Sequence, residues 1–133
     1  MTRYMLDTNI LSDLIRNPNG KAAKRAADIG NDNICTSSIV AAELRYGSVK
    51  NSSKRLLQLV EDLLGEINVL PFETPADVEY GAIRSEFESG GKPIGANDLL
   101  IAAHARAVSA TIVTANVGEF ARIRGLTVEN WLT

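Results

Sequence analysis

Asp7, Glu43, Asp98 and Asn116 are the residues of this 133-residue chain whose type and setting point most directly to chemistry. Asp7 directly follows the apolar triplet Tyr4-Met5-Leu6 and leads into Thr8-Asn9. Glu43 interrupts the apolar run Ile39-Val40-Ala41-Ala42-Glu43-Leu44, where a surface acid would have polar neighbours. Asp98 opens Asp98-Leu99-Leu100-Ile101, and Asn116 and Glu119 come just after Thr114, at the end of a β-rich run. Taken singly, Asp7 and Asp98 could be helix caps and Glu43 a surface acid. Together they fall where acids from separate segments can converge. Converging carboxylates repel one another unless a counter-charge is present. Mg²⁺ or Mn²⁺ supplies it, taking oxygen ligands at about 2.1 Å in near-octahedral geometry. Such an ion can polarise a phosphoryl oxygen, activate water and stabilise a leaving alkoxide.

Other reactive types offer less. Cys35 is the only cysteine and lies in the apolar stretch Ile34-Cys35-Thr36, so a buried core position is expected. His104 is the only histidine; six residues beyond Asp98 on one helix, it points away from that acid and is expected to be structural. No H-E-x-x-H, paired C-x-x-C, Walker loop or G-x-G-x-x-G occurs, which leaves zinc hydrolysis and nucleotide binding without support. Gly90-Gly91-Lys92-Pro93 reads as a turn before the Asp98 helix, with Lys92 free to touch a phosphate. Arg45 and Arg84 are further phosphate candidates, and Tyr46 and Trp131 candidate stacking residues, although Trp131 fits better as core.

The elements that must position these residues alternate in the α/β manner. Strands are expected near residues 4–6, 33–36, 67–72, 111–114 and, more weakly, 126–129. Helical patterns occupy 41–49, 52–64, 75–89 and 97–108. Pro18, Asn19 and Gly20 break an early helix, and residues 30–32 form a turn. Ser37 or Ser38 can cap the helix carrying Glu43, and Thr74 can cap the next with Pro75 at its first position. In open parallel sheets the ligand crevice lies beyond the C-terminal strand ends, where strand order reverses. Asp7, Glu43, Asp98 and the 116–119 segment all follow or face that edge.

Bulk properties set limits. A chain of this length suits one domain spanning 1–133, with no repeat and no linker. No apolar run approaches the ~20 residues of a membrane span, and MTRYMLDTNIL does not read as a signal peptide. With a lone cysteine, a reducing cytoplasm is the expected setting. The net charge of −2 supplies no basic stripe for nucleic acid, so a bound cation would have to do that work.

Four segments carry a family resemblance: MLDTNIL at 5–11, SSIVAAELRYG at 37–47, GKPIGANDLLIAAHA at 91–105 and TIVTANVGEFARIRGLTVENW at 111–131. In that order and spacing the chain resembles the PIN-domain family, and within it the VapC-type toxins of bacterial toxin–antitoxin pairs. The resemblance implies a three-layer α/β/α sandwich around a central, mostly parallel twisted sheet of four to five strands. It implies an acidic pocket for Mg²⁺ or Mn²⁺, endonucleolytic cleavage of RNA (transfer RNA in some similar toxins), and inhibition by a VapB-like antitoxin. Dimers or hetero-oligomers with that antitoxin are implied too. Asp7, Glu43 and Asp98 match the acidic positions, Thr8 and Asn9 the polar residues after the first acid, and Ser38 the hydroxyl before Glu43. Many such domains carry an Asp where this chain has Asn116; Glu119 could share its face, leaving one ion or two.

The expected reaction is hydrolysis by a water activated at the ion, leaving a 5′-phosphate and a 3′-hydroxyl, since no side chain is placed as a general base. An aspartyl-phosphate phosphatase would need a second Asp where Asn9 stands. A metal-free binding module would not need its acids. Leu11, Leu14 and Ile15, with the apolar face of residues 52–64, are candidates for an antitoxin-helix groove.

Overall fold

The computed structural model describes residues 2–90 and 92–133. Met1 and Gly91, which bear on the leader and turn readings, lie outside the described residues. Strand β1 (Tyr4–Leu6) is followed by α1 (Thr8–Arg16), α2 (Lys21–Ile29) and a 3₁₀ turn at Asn31–Asn33. Then come β2 (Ile34–Ser37), α3 (Ser38–Lys50), α4 (Lys54–Glu66), β3 (Asn68–Leu70), α5 (Ala76–Gly90) and α6 (Ala96–Ala107). β4 (Thr111–Val113), α7 (Val117–Phe120) and β5 (Val128–Glu129) complete the order.

The five strands form one sheet in the order β3-β2-β1-β4-β5, every pair parallel. β2 and β4 are buried throughout and Met5 and Leu6 are fully buried, as a sheet covered on both faces requires. From β1 to β3 the chain moves toward one edge; from β3 it crosses back over β2 and β1 to β4. With right-handed crossovers, that reversal puts α1 to α4 on one face and α5 to α7 on the other. The expected three-layer α/β/α sandwich is therefore observed. The point of reversal lies between β1 and β4, where Leu6 is in register with Val113.

Local chemistry explains most boundaries. Ser37 caps α3, its hydroxyl accepting the Ile39 N–H at 3.1 Å, and Ser53 caps α4 through the Leu56 N–H. Gly30, at φ 86°, turns the chain from α2 into the 3₁₀ turn, a backbone that favours glycine. The expected break at Pro18–Gly20 is observed, between α1 and α2; α2 is alanine-rich and buries only Ala22, so its apolar periodicity is faint. One expectation needs correction. Thr74 does not cap α5: the Thr74–Pro75 bond is cis, the helix starts at Ala76, and the Pro75 carbonyl accepts the Glu79 N–H.

Candidate active site

Asp7 sits immediately past β1, its N–H bonded to the Val113 carbonyl, so the sheet itself fixes its backbone. Its side chain is 4% exposed and caps α1, one oxygen accepting the Thr8 N–H at 2.7 Å. The other accepts the Thr114 hydroxyl at 2.8 Å and the Asn9 amide at 3.4 Å. The Asn9 carbonyl oxygen in turn accepts the Ala115 N–H, tying α1 to the end of β4. Burial pushes the Asp7 carboxyl above its ordinary range; the Thr114 and Thr8 bonds oppose this and the Glu43 charge adds to it.

Glu43, one turn into α3, reaches the same edge. The Thr8 hydroxyl donates to one of its oxygens at 2.7 Å, and the Asn97 amide, from the first turn of α6, to the other at 3.1 Å. Asp98 is the next residue. Burial first, then the charges of Glu119 and Asp7, push its carboxyl up to about 6. Glu119 goes the other way. Burial alone would raise it, but the Gly95 N–H at 2.8 Å, the Asn116 amide at 2.7 Å and Asp98 itself bring it below its ordinary range.

Asn116 bridges the pair, its amide nitrogen donating to Asp98 Oδ2 at 3.2 Å and to Glu119 Oε2. It turns nitrogen rather than its carbonyl oxygen to the acids; to coordinate a cation, the amide would have to turn over. Gly95 lies against the same pair: a Cβ there would stand 3.9 Å from both Asp98 Oδ2 and Glu119 Oε1.

Asp7, Glu43, Asp98, Asn116 and Glu119 are thus linked through Thr8, Asn9, Asn97 and Thr114. Ser38 is not: its hydroxyl accepts the Phe72 N–H and ties α3 to the exit of β3. Lys92 is exposed, and its carbonyl accepts a bond from Arg122. Arg45 pairs with Glu61, and Arg84 with Glu88 and Tyr80. His104 is buried, its Nδ1 2.8 Å from the Ser37 hydroxyl, and Trp131 packs on Tyr4 in the core. Burial raises the Cys35 thiol to about 11, which keeps it protonated. Asn97 is the residue the sequence undersold; only its place beside Asp98 marked it.

The donor set suits a hard divalent cation. All its ligating atoms are oxygens, Asp7 and Asp98 are held above their ordinary range, and none of the four acids forms a salt bridge among the described residues. Among the described residues, no group of three or more acidic, histidine or cysteine side chains is arranged to hold a metal ion as they stand. An ion here would take much of its coordination from water.

Comparison with known proteins shows the family and the fold. The model of the PIN domain matches residues 4–126. The ribonuclease VapC2 of Rickettsia felis is 43% identical, covering 96% of this chain and 97% of that protein. The tRNA(fMet)-specific endonuclease VapC of Shigella flexneri is 37% identical over 98% of this chain and 99% of its own. Among solved structures, the DNA-bound VapBC of Salmonella typhimurium superposes with a TM-score of 0.91 at 36% identity, covering 98% of this chain and 99% of the matched one.

Proposed function

This chain belongs to the PIN-domain family, and from that premise we propose that it is a divalent-cation-dependent endoribonuclease, the toxin of a toxin–antitoxin pair. What supports the proposal is the hydrogen-bonded run beside the strand-order reversal from Asp7 through Thr8 to Glu43 and on to Asn97, next to Asp98, with no salt bridge to these acids among the described residues. Asp7, Glu43 and Asp98 would hold the ion, either Mg²⁺ or Mn²⁺, with Asn116 and Glu119 beside it. Bound there, the ion supplies positive charge that polarises a phosphoryl oxygen and makes water a better nucleophile.

The chain's own residues do the positioning. Thr114 and the Thr8 N–H fix the two oxygens of Asp7, so the buried acid presents one geometry. The Thr8 hydroxyl and Asn97 divide the oxygens of Glu43 between α1 and α6. Asn116 and the Gly95 N–H set the Asp98–Glu119 pair. Cleavage leaves a 5′-phosphate and a 3′-hydroxyl. Transfer RNA is the first substrate to test, given the name of the Shigella relative.

The antitoxin has a fitting place. Between α1, α3 and α4 runs a recess of about 340 Å³ lined by Ile15, Leu44, Leu56 and Val60, with Thr8 and Glu43 at one end. It matches the amphipathic-helix mode of recognition, and an occupant would lie against the acids. Leu11, expected in that groove, is instead fully buried in the core. Residues 1–133 act as one catalytic domain in the cytoplasm, with dimers or antitoxin hetero-oligomers as the assembled forms. Among the described residues no helix is long and apolar enough to cross a membrane. Purified protein should cut transfer RNA in Mg²⁺ or Mn²⁺ and stop on addition of EDTA; cutting that persists in EDTA would overturn the proposal.

A further inference from the structure

On the other side of the α6 N-terminus from the acids lies a second recess, of about 400 Å³, that the reaction above does not use. Tyr80 and Phe87 of α5 form one wall, and Pro93, Ile94 and Leu99 the other. Arg84 stands in it, donating to Glu88 at 2.9 Å and to the Tyr80 hydroxyl at 3.1 Å. The charged pair keeps its outer edges open, with side chains 56% and 67% exposed. Two aromatic side chains beside a guanidinium–carboxylate pair suit a flat, unsaturated group whose edge carries both donors and acceptors. The recess is on the scale of a small-ligand pocket.

The recess also communicates with the acids. The Arg122 guanidinium lies 4.7 Å over the Phe87 ring, bonds the Lys92 carbonyl, and its charge acts on Glu119. Ala96 and Leu99, which line the recess, flank Asn97-Asp98 on one helix turn. A helix is about 10 Å across, so a phosphate at the acids and a group in the recess are about one helix width apart.

We propose that this recess binds one unpaired nucleobase of the RNA next to the phosphate held at the acids. The inference rests on the ribonuclease reading above. The base stacks on Phe87 and Tyr80, as single-stranded RNA commonly does on aromatic side chains. Glu88 accepts from an exocyclic amine and Arg84 donates to a ring acceptor, by the pairing rules that govern base edges. Uracil, which has no exocyclic amine, is the base the recess disfavours.

Short single-stranded RNAs with one abasic site walked along the sequence test this by fluorescence anisotropy with Ca²⁺ in place of Mg²⁺ or Mn²⁺, which supplies a cation with oxygen-ligand preference, and with the RNA checked to be intact. One position should weaken binding to the intact protein about five- to a hundred-fold when abasic, the range of one stacked base. Phe87→Leu, which keeps apolar packing, and the surface change Arg84→Ala should each weaken intact RNA and lose sensitivity at that same position. Uniform sensitivity along the RNA, or variants that still sense the abasic site, would overturn the proposal. So would a Phe87→Leu protein that binds RNA normally but changes oligomeric state in sedimentation, since the recess would then join two copies of the chain. Cleavage of the same RNAs in Mn²⁺ keeps the two readings apart. Site-selective binding without cleavage fails the acids and spares the recess; cleavage without a sensitive position does the reverse.

Discussion

At the scale of single residues, the site is a set of acids held by neutral donors rather than by cations. Asn97 shows what that means. It spans 54 positions of sequence to hold Glu43 while sitting beside Asp98, so one amide fixes the relation between two acids. Removing a donor that orients a metal-holding side chain typically costs 10–100-fold in metal affinity or activity. Asn97→Ala should therefore weaken Mn²⁺ binding by about 10-fold in calorimetry with the fold unchanged; unaltered binding would remove Asn97 from this role. The acids were legible in the sequence because each interrupts an apolar setting or follows a strand. Asn97 was not, because its bond to Glu43 exists only once α3 and α6 pack. Asn116 was legible as a departure, but its contact through nitrogen to both Asp98 and Glu119 depends on a neighbour three positions on.

At the scale of elements, the β2–α3 junction carries more than its own helix. The Ser37 hydroxyl caps α3 and also meets buried His104 of α6, tying the helix that carries Glu43 to the one that carries Asp98. Ser53 caps α4 with no such partner. Loss of a cap costs roughly 1 kcal/mol, and a buried polar group left unpaired about 1–3 kcal/mol more. Urea unfolding should then show Ser37→Ala losing about 2–4 kcal/mol and Ser53→Ala about 1 kcal/mol. Equal losses would mean that the His104 bond contributes nothing. The strands and most helices were readable from apolar period and turn residues. α2 was not, since Lys21-Ala22-Ala23-Lys24 offers little periodicity to a helix that buries one alanine. Nor was the start of α5, where Pro75 follows a cis bond and lends only its carbonyl to the helix.

At the scale of the whole molecule, the sequence pointed to the strand-order reversal through a rule about parallel sheets, and the observed order puts Asp7 and Thr114 on either side of it. The electrostatic consequence extends to folding. Asp98, raised from 3.8 to about 6, keeps a proton in the fold that the unfolded chain releases earlier. Its contribution is thus fully present below 3.8 and is lost as the pH rises through about 6. Asp7 works in the same direction. Metal-free protein should therefore melt at lower temperature at pH 7 than near pH 5, and Mn²⁺ should raise the melting temperature more at pH 7 than at pH 5. A metal-free melting temperature that climbs across this range would contradict the charge account.

The central claim is that the buried Asp7 carboxylate is indispensable to a cation-dependent cut in RNA. The most direct measurement compares cleavage of transfer RNA by the native protein and by Asp7→Asn, matched in circular dichroism, with 5′ ends mapped in Mg²⁺ and Mn²⁺. The native protein should give discrete new 5′ ends, and the variant at least a hundredfold loss of cutting. A folded Asp7→Asn protein that cuts the same RNA at the native rate would contradict the claim.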